Sequence, residues 1–289
     1  MAKYPIYNIQ RFNCNAVNSS LYINTFKNHL ITHSFVEEPH RHNSYVLVFF
    51  TQGSGTHEID FDVFDIQPGS MFFMQPGQIH HWHLSEDVEG YVVFYSQEFY
   101  NLYFGQKDIA DYPFYSAVDN KPELVLQTAE SLAIVPYFER LIEESQSNQP
   151  WQKDYILNLL DCIHIQIARK YQKSNLHQAH AYNVKIKAFE TALEKHYKTE
   201  KAASFYAAQL HITLKHLNRI CNERLQKTTT EVIADRVILE AKRMLFDKDF
   251  TVNEIALRLG YEDYSYFTRL FKKQTGLTPS HFRLDKRKR

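Results

Sequence analysis

Long apolar runs are missing from this chain of 289 residues; no stretch approaches the roughly 18 uninterrupted apolar residues that a membrane-spanning helix needs. The opening residues, MAKYPIYNIQRFN, lack the apolar block of a secretory signal, so the expected setting is cytoplasmic, with no membrane partner. Cysteine is scarce. Cys14, Cys162 and Cys221 are odd in number, far apart and without C-x-x-C spacing, which argues against a disulfide framework and for reduced, packed thiols. Net charge is absent too, because 33 Lys and Arg balance 33 Asp and Glu. That zero hides an imbalance. Residues 181–289 hold 22 basic against 13 acidic side chains, a net of +9, and residues 1–180 carry −9. A basic third joined to an acidic two-thirds suits a nucleic-acid-binding module attached to a sensor or assembly module. The length implies two or three compact parts, and 44% apolar content is enough to give them cores.

The most informative segment is residues 251–282, TVNEIALRLGYEDYSYFTRLFKKQTGLTPSHF. Thr251 and Glu254 have capping-box spacing, Ile255, Ala256 and Leu259 share one helical face, and Gly260 supplies a left-handed stop followed by apolar Tyr261. A second helix then covers residues 263–274. Phe267, Leu270 and Phe271 form its buried stripe, leaving Ser265, Thr268, Arg269, Lys272 and Lys273 outside. Hydrogen-bond donors and positive charge on that face are the chemistry that reads base edges and holds phosphates. Gly276 ends this helix, and Thr278 with Pro279 opens a short last one.

Residues 205–224 repeat the pattern when Ala207 is set against Ala256. Leu217, Ile220 and Cys221 make the buried stripe, and Lys215, Asn218 and Arg219 face outward, with Arg219 equivalent to Arg269. Residues 229–246 between the copies read as a long helix with an apolar stripe of Val232, Ile233, Val237, Ala241, Met244 and Leu245. Two reading heads on one connector would suit successive major-groove segments of a duplex.

Two helix-turn-helix units joined by R-x-x-x-E-A-K-R-M-L (236–245), followed by I-A-x-x-x-G-Y-x-D-x-S-Y-F-x-R-x-F-K-K-x-x-G-x-T-P (255–279), resemble the AraC family of bacterial transcription regulators over roughly the last hundred residues. The first unit departs from the family at His211 and Gln226, where Gly is usual, and at Cys221, where Phe is usual.

The first hundred residues read as strands. Residues 45–51, 58–63, 71–74 and 91–95 are β-rich runs separated by turns at 53–55, 67–69 and 75–77, which suggests a small antiparallel barrel or jelly roll. His40-x-His42 ahead of the first run, with Pro76-Gly77-x-x-His80 later, resembles the paired motifs of a cupin, the usual N-terminal partner in AraC-type regulators. Enzymatic cupins add a carboxylate after the His pair. Residues 43–48 contain none, and His81 and His83 crowd the same loop, so no metal and no cofactor is expected. An organic ligand held by the imidazoles, a metal ion and plainly structural histidines remain the alternatives. The ligand-binding candidates are His40, His42, Tyr45, His80 and Trp82. The resemblance further implies an arm before about residue 15 that covers the barrel mouth.

Residues 132–144 and 153–171 have helical spacing, and the second stretch is apolar round so much of its cylinder that pairing with a twin is expected in preference to packing on the barrel. The polar stretch 172–183 reads as a linker. The expected fold is therefore a multidomain α and β chain: a cupin-like antiparallel barrel (1–100) with a helical extension (101–171), then an all-α double helix-turn-helix (184–289). The expected function is a homodimeric, sequence-specific transcription regulator, not an enzyme, that binds double-stranded promoter DNA under small-molecule control. It would touch RNA polymerase if it activates. Base contacts are assigned to Lys215, Asn218, Arg219, Ser265, Thr268 and Arg269, and phosphate contacts to Lys272 and Lys273. The alternatives are a barrel that only dimerises, or a metal-dependent cupin enzyme.

Overall fold

A computed structural model describes residues 5–12, 20–32, 38–101, 109, 112–115, 121–173, 180–245 and 250–285. Its contacts divide the chain into one unit of residues 5–115 and 120–176 and another formed mainly by residues 177–289.

The N-terminal unit runs β1 (Ile6–Tyr7), β2 (Leu21–Thr25), α1 (Phe26–Thr32), β3 (His40–His42), β4 (Tyr45–Gln52), β5 (Gly55–Ile59), β6 (Asp62–Ile66), β7 (Ser70–Met74), β8 (Ile79–Leu84), β9 (Glu89–Tyr95), α2 (Gln97–Asn101), β10 (Glu123–Val125), α3 (Thr128–Ser145) and α4 (Gln152–Lys173). The strands form two five-stranded sheets, ordered β1-β3-β8-β5-β6 and β10-β7-β4-β9-β2. Among the described strands only β1 and β3 pair in parallel. The second sheet is buried on both faces, which is why β4 and β7 read as continuous apolar runs. Val46, Val48, Phe50, Phe72 and Phe94 point inward to meet Ile59, Ile66 and Trp82 of the first sheet. Leu47, Phe49, Phe73 and Val93 point outward and are covered by α3 and α4.

Three local expectations change. The alternating run at 58–63 is a hairpin, not one strand: Asp60 takes φ +54°, Ile59 pairs with Asp62, and Val63 is left 62% exposed. Asp is among the residues that tolerate a left-handed turn, and here its carboxylate also accepts from the Gln78 amide (3.0 Å) and the Ile79 N–H (3.3 Å) of the neighbouring strand entry. His81 and His83 do not crowd a loop. They lie on strand β8, whose alternation turns His80 and Trp82 inward and its neighbours out. The apolar stripe of α4 is satisfied within the chain, since Ile156, Leu157, Leu160, Ile163 and Ile167 are each no more than 1% exposed in the core shared with the second sheet and α3. His164 and Tyr95 in that layer are paired. His164 Nδ1–H donates to the Leu160 carbonyl (2.7 Å), so Nε2 accepts from Tyr95 Oη (2.7 Å), which lies 2.5 Å from Tyr115 Oη.

The second unit is helical: α5 (His180–His196), α6 (Ala203–Gln209), α7 (Leu214–Leu225), α8 (Thr229–Leu245), α9 (Val252–Arg258), α10 (Tyr264–Thr275) and α11 (Pro279–Asp285). Both arms of the capping box at Thr251 and Glu254 form (2.7 and 3.2 Å). Gly260 has φ +77°, and a Cβ there would lie 2.2 Å from the Lys198 carbonyl oxygen. In the first copy the same turn places His211 at φ +53°, and Tyr261 and Ile212 make matching hydrogen bonds to Ala256 and Ala207. The backbone is thus repeated even where glycine is not, at a cost of about 1 kcal/mol for the left-handed side chain.

Arg236 of α8 ties this unit together. It is 9% exposed, donates to both Glu194 carboxylate oxygens (2.5 and 2.9 Å), reaches Glu240 (3.3 Å) and lies 3.9 Å over the Tyr197 ring. Burial pulls its pKa down, but the bidentate bond to Glu194 outweighs it and holds the guanidinium charged. Glu194→Ala strands that charge. Urea denaturation should show a loss of about 2 kcal/mol, below the usual range for a broken buried pair because Glu194 is partly solvated, and Arg236→Met in the same background should recover part of it.

Candidate functional site

In the C-terminal unit, α7 and α10 are the second helices of the two repeats, and each packs against α8 or the helix beside it. Each starts on a side-chain cap: Thr213 accepts from the His216 N–H (3.2 Å), and Asp263 accepts from Ser265 and Tyr266 (2.7 and 3.0 Å). Leu217, Ile220 and Cys221 in α7, and Phe267 and Phe271 in α10, are fully buried. Their opposite faces are therefore fixed. Lys215, Arg219, Ser265, Arg269, Lys272 and Lys273 are all exposed, as the base- and phosphate-contact assignments require.

Asn218 and Thr268 are placed differently. Asn218 Oδ1 accepts from the Thr229 N–H (3.0 Å) at the start of α8, so its amide serves the next helix. Thr268 occupies the same position in the second copy, but the residue eleven places on is Pro279, which has no N–H to give. Its Oγ1 is buried without a partner. Asn218 Oδ1 and Thr268 Oγ1 are thus turned toward the unit, which sets these two apart from the exposed side chains of the base-contact set. Sequence spacing missed Leu214, Tyr264 and Tyr266, which are 40%, 41% and 52% exposed on the first turns of α7 and α10. Exposed large side chains just after a helix cap were the available signal.

In the N-terminal unit, His40 and His42 of β3 and His80 and Trp82 of β8 converge inside the barrel. Imidazole centroids lie 4.7 Å (His40 to His42), 4.3 Å (His40 to His80) and 5.0 Å (His42 to His80) apart, and Trp82 is 4.7 Å from His80. Tyr45 does not join them. The β4 alternation turns it outward, where it stacks on Tyr95 at 5.9 Å. His57 of β5 was missed and belongs to the cluster, with its Nε2 3.1 Å from His80 Nδ1. Its sequence signal was its i, i+2 relation to the inward Ile59. The described N-terminal residues lie over the same cluster. Tyr7 is 5.1 Å from His40, Phe12 is 5.8 Å from His42, and β1 pairs with β3.

Burial dominates the electrostatics. It pushes His40 down to about 4 against the Glu38 carbonyl that its Nδ1 bonds (2.7 Å), and it holds His42, His57 and His80 well below the ordinary imidazole value, with neighbouring imidazoles adding repulsion. The Tyr7 main chain opposes the shift of His42 without standing in hydrogen-bond geometry. The rings are neutral at pH 7. Both nitrogens of His42, Nε2 of His80, Nδ1 of His57 and Nε1 of Trp82 are buried without partners. Each such group costs about 1–3 kcal/mol, so a ligand that engages them has much to gain.

Paired, outward-facing recognition helices in one unit and a β-barrel with a polar interior in the other define a two-part DNA-binding regulator. Residues 21–181 match the AraC-like ligand binding domain and residues 206–285 match a helix-turn-helix domain; the chain belongs to the AraC family of transcription regulators. It is 22% identical over 248 residues to the HTH-type transcriptional activator RhaR of Mannheimia succiniciproducens, covering 84% of this chain and 86% of that one. The RhaR of Cronobacter sakazakii is 22% identical over 252 residues, with the same coverage. Among solved structures, ToxT of Vibrio cholerae is similar at 13% identity and a TM-score of 0.44, covering 92% of this chain and 98% of that one. The family function is regulation of transcription, not catalysis. No helix among the described residues is long and apolar enough to cross a membrane.

The unlike environments of Asn218 and Thr268 separate in stability measurements. Asn218→Ala should cost about 1 kcal/mol in urea denaturation, while Thr268→Val removes an unpaired hydroxyl at constant shape and should be neutral or stabilising by up to about 1 kcal/mol. A shift in operator preference for either variant would return it to the base-contact set.

Proposed function

We propose that the chain is a cytoplasmic, homodimeric regulator that reads promoter DNA through α7 and α10 and is controlled by a small molecule in the N-terminal barrel. The observation that carries the DNA reading is the repeated backbone that leaves Arg219 and Arg269 exposed at equivalent positions of helices built around α8. At 17 residues, α8 is about 25 Å long and joins the two repeats, whose second helices would enter successive major-groove segments. Arg219 and Arg269 take base edges, with Lys215 and Ser265 beside them, and Lys272 and Lys273 take phosphates. The RhaR relatives are described as activators, and on that likeness RNA polymerase is the third partner.

The effector reading is supported by buried imidazoles without partners, under a segment, residues 5–12, that would have to move to admit a ligand. The same cover favours a second reading, a barrel that is filled and only dimerises. Pairing through α4 would use Tyr155, 43% exposed, and the partly buried Leu159, because the rest of the stripe is covered. Operator affinity that stays constant across a metabolite panel favours the second reading; a ligand that shifts it at constant protein concentration favours the first.

Arg269→Ala should relax preference at one base position at a cost of about 1–3 kcal/mol, read by competition between cognate and substituted operators. Lys272→Ala should weaken cognate and scrambled DNA alike and reduce the slope of log affinity against log salt by about one. Equal losses on both DNAs for Arg269→Ala would remove it from the base-contact set.

A further inference from the structure

We infer that Lys201, between α5 and α6, is a positioning residue that ties the second helix-turn-helix to the first and so sets the operator spacing the pair accepts. The inference rests on the reading of α7 and α10 as the helices that enter DNA. Helix α8 packs on helices of both repeats and is their covalent link. Lys201 makes a second tie that does not pass through α8.

Its Nζ donates to the carbonyls of Tyr197 and Lys198, at 2.8 and 2.9 Å, just past the end of α5. Helix α5 packs on α6 and α7, so this end moves with the first repeat. The same ammonium lies 5.1 Å over the ring of Tyr261, which follows the Gly260 turn of the second repeat. Backbone meets backbone at the same place, since a Cβ on Gly260 would stand 2.2 Å from the Lys198 carbonyl oxygen and 3.0 Å from Lys201 Nζ. The matching turn of the first copy carries a side chain, His211, so the close approach at Gly260 is not a demand of the turn itself.

Tyr261 passes the contact on to the reading helix. Its ring stacks on Tyr266 at 5.9 Å and packs on Phe267 at 5.5 Å, both in the first turn of α10. Helix α10 is thereby held from the end of α5, the helix on which α7 packs. Burial pulls the Lys201 ammonium down to about 8, against the Glu200 carboxylate that favours the charge, so at pH 7 it remains a cation over the ring. Two heads on one scaffold help each other only when the second is already aimed as the first engages. A stiffer tie raises that gain at one spacing and lowers it at others.

The test uses the full-length protein and a duplex that it selects from a random library, beside the same duplex with one base pair inserted between its two footprinted segments. Wild type should bind the inserted duplex at least about 10-fold more weakly. Lys201→Met keeps the stem but removes the charge and the donors. It should narrow that ratio by about 3–10-fold and leave affinity for a duplex with only one of the segments unchanged. Lys198→Met, at an exposed lysine, controls for lost charge and should keep the wild-type ratio, as should Tyr261→Phe, which keeps the ring. Tyr261→Leu should reproduce Lys201→Met, with little further change in the double variant. If Tyr261→Leu does not fold, Lys201→Met against Lys198→Met decides. A wild type indifferent to the insertion overturns the two-head reading together with this inference. A wild type that discriminates, beside a Lys201→Met variant that discriminates equally, overturns this inference alone.

Discussion

The two-faced burial of one sheet organises the N-terminal unit. Strands β4, β7 and β9 carry unbroken apolar runs (45–50, 71–74 and 91–95), so one set must meet a second sheet and the other must meet helices. The helices α3 and α4 are drawn against the outer set, and the inner set closes the barrel. This constraint fixes the register of β4, and with it the side on which each neighbouring polar group falls. His40, His42, His57 and His80 are inside because the alternation of β3, β5 and β8 turns them to the face of the first sheet that meets the second. Tyr45 is outside because Val46, Val48 and Phe50 must be in.

How much of this could be read from sequence depended on whether a local rule had a competitor. The second helix-turn-helix was legible almost residue by residue, since capping boxes, left-handed glycines and a three-four stripe are local signals that tertiary structure had no reason to override. Strand existence was legible at β4, β7 and β9 for the same reason. Strand β8 was not, because I-H-H-W-H-L places three polar rings in a run whose alternation is visible only when histidine is allowed to be an inward residue. The hairpin at Asp60 was hidden by apolar residues that continue their period across the turn. The α4 surface was over-read: its apolar girth implied a partner, but α3 and the outer sheet together supply more covering area than one flat face.

The histidine cluster shows what packing decides that spacing cannot. The paired motifs place His40, His42 and His80 near one another, but the sequence says nothing of what their nitrogens meet. That depends on the Glu38 carbonyl, on His57 arriving from β5, and on Tyr7 and Phe12 packing over the rings. Burial then removes proton binding as a way to satisfy the rings, because charging them in this surround is costly. The unpartnered nitrogens of His42, His57 and His80 therefore carry an energetic cost that an occupant of the interior would relieve.

Duplication gives the C-terminal unit one backbone used twice, and the differences between copies identify what each position does. Left-handed turns recur at His211 and Gly260 and again at Gln226 and Gly276, so the turn is imposed by the helix packing and glycine only lowers its cost. Asn218 and Thr268 share a position, yet one is satisfied by the Thr229 N–H and the other faces Pro279. The residue at that position follows the donor across from it, and the proline that starts α11 makes an amide there unnecessary. Arg219 and Arg269 differ: the arginine recurs in both copies and stays exposed, with neighbours that otherwise change. That recurrence at an exposed position is what the proposed base contacts would use.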